Sequence, residues 1–152
     1  RERVPHGTPV TAKIRLGYDT DENFEEILDS LAAVALTEVT IHARTRRQGY
    51  RPPAHWHRLR DARNRLPFPV IANGELWTPG DIARCAEVSG SSAFMLGRGA
   101  LCRPDLGAAI RAYYRGEAPS SFDWQDAREL LIHFLEQNRT DAYTTRAMRS
   151  TR

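Results

Sequence analysis

Four short runs with a strand's period of two or a strand's apolar content, each followed by a helical pattern, constrain this chain more than any other feature. In Val10 to Leu16 (V-T-A-K-I-R-L), apolar and polar residues alternate. Val10, Ala12, Ile14 and Leu16 therefore share one face, expected to lie against helices, and Thr11 and Lys13 share the other. After Gly17 and an acidic stretch, Phe24, Ile27, Leu28 and Leu31 recur at i, i+3, i+4 and i+7, which predicts an amphipathic helix. Glu38 to His42 (E-V-T-I-H) reads as a second strand, with Val39 and Ile41 facing helices and Thr40 and His42 opposite. A helix is expected at roughly 54–66. Pro69 to Asn73 (P-V-I-A-N) reads as a third strand. Thr78 as N-cap, Pro79 at the first position and Asp81 then start a helix whose inner stripe is Ile82, Cys85 and Ala86. Ser92 to Leu96 (S-A-F-M-L) reads as a fourth strand ended by Gly97, and a helix is expected from about Pro104 to Tyr114.

The composition then shifts. Gly116 to Ser121 (G-E-A-P-S-S) reads as a linker. Asp123 can cap a helix carrying Leu130, Leu131, Phe134 and Leu135, and a second helical pattern starts near Asp141. The expected organisation is a four-unit βα array over 1–116, a linker over 117–121 and the start of a helical domain over 122–152. Four strands cannot close a barrel, and roughly 250 residues are typical of a complete (β/α)8 barrel. The α/β class is thus expected as half of such a barrel, with a small open α/β sheet as the competing architecture.

Composition narrows the function classes. The chain has 152 residues, 41% hydrophobic and 27% charged, ordinary for a globular domain that needs no disulfides. It contains no run of eighteen apolar residues and no signal-peptide pattern, so no membrane association is expected. It opens on Arg1 rather than Met, which leads us to expect a chain processed or excised from something longer. Cys85 and Cys102 lie far apart without C-x-x-C spacing, so neither a metal site nor a disulfide framework is expected, which fits a reducing, cytoplasmic setting. Cys85 falls on an apolar stripe and reads as a small buried hydrophobe. Of the 22 basic residues, Lys13 is the only lysine, which points to a position where a guanidinium cannot replace a compact ammonium.

The polar residues gather at or near the C-terminal ends of the four strands: Lys13, His42, Asn73 with Gly74, and Gly97 with Arg98. That rim is where a parallel barrel holds its ligand, with phosphate bound by the loops after the last two strands and a short helix. Gly74 and Gly97 let backbone N–H groups approach an anion, and Arg98 offers a planar fork to phosphate. Taken singly, each has a plainer reading. Asn73-Gly74 is a common turn dipeptide, His42 serves equally as a hydrogen-bonded strand-end histidine, and Arg98 is one surface arginine among many. Lys13 is harder to set aside, because a lysine inside a strand must find a partner for its charge.

The wording of the motifs is more specific. A-K-I-R-L-G at 12–17, I-H-A-R-T-R-R-Q-G-Y at 41–50, P-V-I-A-N-G-E at 69–75 and M-L-G-R-G-A-L at 95–101 resemble the signature blocks of tRNA-dihydrouridine synthases, in family order and over nearly the whole chain. N-G-E-L-W at 73–77 with Q-G-Y-R at 48–51 is most similar to the C-type bacterial branch, which acts on position 16 of tRNA. The resemblance implies an FMN-containing (β/α)8 barrel with a C-terminal helical domain, of which this chain is the C-terminal half. It implies that Lys13 contacts the pyrimidine end of the flavin and that His42, Asn73, Gly74, Glu75, Gly97 and Arg98 hold the ribityl chain and phosphate. The implied activity is that of an oxidoreductase acting on CH–CH bonds: NADPH reduces FMN, the flavin delivers hydride to C6 of a uridine, and an acid protonates C5. In the family that acid is a cysteine in the other half of the barrel, so no catalytic residue is assigned here, neither Cys85 nor Cys102. Ala43 where the family has glycine, Arg51 to His55 in place of a more acidic stretch, and Ser92 where aspartate is common are departures from the pattern.

The tail bears on the substrate. Arg139, Arg146 and Arg149 share one side of a helical wheel with Tyr143 near it, a basic stripe suited to a phosphate backbone and unpaired bases, with a solvated charged face as the alternative. Tyr50, in the loop after the second strand, is expected to reach the tRNA, since a uridine must leave its stack to meet a flavin. Two other functions stay open on the residues alone. One is another phosphate-binding barrel flavoprotein of the dihydroorotate-dehydrogenase kind; the other is a non-catalytic half-barrel that binds RNA or pairs with itself.

Overall fold

A computed structural model describes residues 4–118 and 122–137. The elements run β1 (Thr11–Arg15), α1 (Phe24–Ala32), β2 (Glu38–His42), α2 (His57–Arg65), β3 (Val70–Asn73), α3 (Pro79–Ser89), β4 (Phe94–Met95), α4 (Arg98–Cys102), α5 (Leu106–Arg115) and α6 (Trp124–Gln137). All four strands are parallel and lie in the order β1-β2-β3-β4. Parallel neighbours need a crossover, and α1, α2 and α3 provide one between each pair. The order lacks the reversal that marks doubly wound open sheets. The chain forms two compact units, Arg1–Leu76 with Gly80–Leu96 and Trp77–Pro79 with Gly97–Arg152.

In the first unit the register sorts the strands into two faces. Ala12, Val39 and Val70 align, and one step along Ile14, Ile41, Ala72 and Phe94 align. Val39, Ile41 and Ala72 are fully buried, as are Phe24 and Leu28 of α1, Leu59 and Ala62 of α2 and Cys85 of α3. Each large aliphatic or aromatic side chain removed from water here contributes about 1.5–3 kcal/mol, which makes this layer the main source of cohesion. The opposite face carries Lys13, Thr40 and Ile71 at one level and Arg15, His42, Asn73 and Met95 at the next. There Thr11, Lys13 and Met95 are exposed. The parity expected for β1 holds, and on the same face of β2 Thr40 and His42 are buried at 4% exposure each.

Ion pairs fasten α1 to α2. Arg58 reaches Asp21 and Glu25 at 2.9 Å and Asp61 at 2.8 Å, while its guanidinium lies 5.0 Å from the Phe24 ring. Arg65 holds Asp29 at 2.5 Å.

The fourth strand and one added short helix differ from expectation. The fourth strand is two residues long rather than five, pairing with β3 only at Ala72 and Asn73. The helix expected from about Pro104 to Tyr114 is present as Leu106–Arg115, closed by Gly116 at φ 68 with the Glu117 N–H donating to Ala112 O at 3.0 Å. Ahead of it stands α4, which the sequence did not announce: five residues are too few to show a helical period.

In the second unit α4 packs on α5, burying Gly99, Leu106 and Ala109. Asp123 caps α6 as expected: its Oδ1 accepts from the N–H groups of Gln125 at 2.7 Å and Asp126 at 3.1 Å, and Asp126 Oδ2 accepts the Asp123 N–H at 3.0 Å. No residue of α6 is buried.

Candidate functional site

The loops after β1 and β2 are zipped together beyond the ends of the strands. The N–H of Leu16 donates to Arg44 O at 3.2 Å, and those of Arg46 and Arg47 donate to Gly17 O and Tyr18 O at 2.9 Å. Gly17 is required for this path, because a Cβ there would lie 2.0 Å from Thr20 O. Arg15 reinforces the closure: its Nη1 donates to Thr45 O at 2.9 Å and Gly49 O at 3.0 Å, and its guanidinium lies 5.6 Å from the Tyr50 ring. Tyr50 is thereby held in the loop at 60% exposure, with its ring 5.9 Å from that of His42.

Beneath that loop lies a polar cluster. His42 stands in register between Arg15 and Asn73. Asn73 Nδ2 donates to Met95 O at 2.6 Å, which fixes the amide so that Oδ1 remains its acceptor end. Gly74, at φ +109, backs directly onto the His42 ring, and its carbonyl accepts the Trp56 indole N–H at 2.8 Å. Glu75 has φ 59 and forms an ion pair with Arg44, which is completely buried. Arg44 Nε donates to Arg51 O at 2.7 Å, and Nη1 lies 3.4 Å from His42 Nε2.

The first unit thus brings His42, Asn73, Gly74 and Glu75 together, with Tyr50 above His42. Lys13 is exposed one level down on the same sheet face, opposite Thr40. In the second unit Gly97 is the N-cap of α4, with open space where a Cβ would project, and Arg98 begins the helix. The Arg98 guanidinium lies 4.9 Å from the Trp77 ring, a stacking contact that orients the fork. Arg139, Arg146 and Arg149, with Tyr143, lie outside the described residues.

Sequence reasoning missed Arg15, Arg44, Trp56 and Trp77. Arg15 had a visible signal, since it shares parity with Lys13. Arg44 had a weaker one, two residues beyond His42; in a chain this rich in arginine it reads as surface.

Away from this cluster, Cys85 is fully buried, and burial pushes its thiol up to about 11. Among the described residues no group of three His, Cys, Asp or Glu side chains is arranged to hold a metal ion, and no helix is long and apolar enough to cross a membrane.

Comparison with known proteins adds an independent line. The family model described as dihydrouridine synthase matches residues 1–149. Similar proteins named tRNA-dihydrouridine(16) synthase occur in Aquipseudomonas alcaligenes, 42% identical over 91% of this chain and 44% of the relative, and in Shewanella oneidensis, 40% identical over 96% and 46%. The Escherichia coli protein of the same name is 44% identical over 73% of this chain and 36% of its own length. The chain therefore spans less than half the length of these curated relatives.

Proposed function

Because this chain belongs to the dihydrouridine synthase family, we propose that it is the C-terminal half of a flavin-dependent (β/α)8 barrel enzyme that reduces a uridine of tRNA, at position 16, to 5,6-dihydrouridine. The sequential parallel strand order and the exposed polar face of β1 support the barrel reading. The observation that carries the functional reading is the His42–Asn73–Gly74 cluster at the C-terminal ends of β2 and β3.

The residues present suit FMN by their chemistry. Lys13, an exposed ammonium, would serve the electron-rich pyrimidine end of the ring. Asn73, its amide fixed by Met95, would offer Oδ1 to a ribityl hydroxyl. His42 and Glu75 belong to the same set, and Gly74, packed against the His42 ring, would offer its backbone N–H. Gly97 and Arg98 would take the phosphate, through N–H groups at the start of α4 and a guanidinium already oriented by Trp77. When bound, the flavin supplies the hydride that reaches C6 of the uridine, with NADPH as the reductant of the couple. No acid for C5 is assigned in this chain: Cys85 is sealed in the core. Tyr50 offers the exposed aromatic face for an unstacked base, and Arg139, Arg146 and Arg149 are assigned to the tRNA backbone. The compartment that goes with a tRNA substrate in this reading is the cytoplasm.

The test is to purify the intact protein and record its visible spectrum. Retained absorption of an oxidised flavin, bleached by NADPH and released on denaturation as FMN, is expected. A colourless protein that takes up no added FMN would overturn the reading.

A further inference from the structure

Arg44 is the one fully buried arginine among the described residues, and its guanidinium has N–H donors but no acceptor. Two of its nitrogens are committed: Nε to Arg51 O and Nη2 to the Glu75 carboxylate. The third, Nη1, faces His42 Nε2 at 3.4 Å. A proton on Nε2 would set donor against donor beside a permanent positive charge. Gly74 backs the same edge of the ring, since a Cβ there would lie 2.7 Å from His42 Cδ2 and 3.1 Å from Nε2. Among the described residues, charged neighbours of His42 include Glu75, paired with Arg44, and Arg15, its partner in register.

We infer that Arg44 is a positioning residue that fixes His42 as the tautomer protonated on Nδ1 and bare on Nε2. Glu75 neutralises Arg44 and the Arg51 carbonyl aims it, so the fork presents one N–H to the imidazole. Any group that hydrogen-bonds His42 at Nδ1 must then be an acceptor. For the flavin of the proposed function, on which only this last step rests, that means an oxygen or a bare ring nitrogen rather than a hydroxyl proton.

The experiment is nitrogen NMR on the intact protein with labelled histidine, His42 being assigned by loss of its signals in His42→Gln. Nδ1 protonated and Nε2 unprotonated at neutral pH is the expected pattern, with Arg44→Met moving the proton towards Nε2. A wild-type ring protonated on Nε2 would overturn the inference, and that spectrum decides even if Arg44→Met fails to fold. An unchanged tautomer in a folded Arg44→Met would overturn it too. A protein that takes up no flavin yet shows the Nδ1–H pattern supports the role of Arg44 while removing the flavin reading.

Discussion

Gly74 lies so close to His42 that a methyl group on its Cα would sit 2.7 Å from the imidazole Cδ2. The contact ties the turn after β3 to the end of β2, and it needs glycine twice over: for the clearance and for φ +109, where side chains are strained. Gly74→Ala is expected to destabilise the intact protein by about 1–3 kcal/mol through strain and overpacking. Urea unfolding measures it. An unchanged midpoint would show that the contact is not tight.

Arg98 should matter for flavin affinity rather than for folding. A charge-assisted bond to phosphate is worth ~1.5–3 kcal/mol, so Arg98→Ala is expected to weaken FMN retention roughly 10- to 150-fold. Arg98→Lys keeps the charge but loses the planar fork stacked on Trp77, and should recover only part of that. FMN titration into the apoprotein reads both variants, and wild-type affinity in Arg98→Ala would contradict the phosphate assignment.

The two thiols should behave differently. Cys102 is exposed, whereas Cys85 is buried with its thiol raised to about 11, so at pH 8 roughly one Cys85 in a thousand is thiolate. Brief alkylation of the native intact protein followed by peptide mapping should label Cys102 and spare Cys85 until the protein unfolds. Equal labelling would mean that the α3 packing is looser than described.

The α1–α2 clamp gives a pH dependence whose sign follows from its carboxyls. The Arg58 hydrogen bond holds Glu25 below its ordinary value, and the Arg65 hydrogen bond does the same for Asp29. Groups depressed in the folded state stabilise fully above their ordinary range, and that contribution fades as pH falls through the depressed values. The Arg65–Asp29 pair is exposed and Glu25 meets water beside a mostly covered Arg58, so the effect should be small and sensitive to salt. Hydrogen exchange of the α1 and α2 amides, corrected for intrinsic rates, should show less protection at pH 3 than at pH 7, and the difference should shrink in Glu25→Gln with Asp29→Asn. Protection that rises on acidification would reverse the assignment.

What could be read in the sequence followed from periodicity and motif wording. Alternation along Val10–Leu16 placed Lys13 on the open face, and the apolar content of Glu38–His42 and Pro69–Asn73 put His42 and Asn73 at strand ends. What could not be read depends on three-dimensional closure. Arg15 is held by the backbone carbonyls of Thr45 and Gly49, some thirty residues away, and backbone carbonyls leave no mark in a sequence. Arg44 resembles any other loop arginine until folding brings Glu75 and the Arg51 carbonyl to it. The short helix α4 hides in R-G-A-L-C, where a glycine and five residues of length leave no stripe to detect.

The central claim is that the intact protein makes dihydrouridine in tRNA, and mass spectrometry of tRNA from cells deleted for its gene tests it most directly. Dihydrouridine should vanish at position 16 and return with the wild-type gene but not with Lys13→Ala. Undiminished dihydrouridine at that position in the deletion strain would contradict the account.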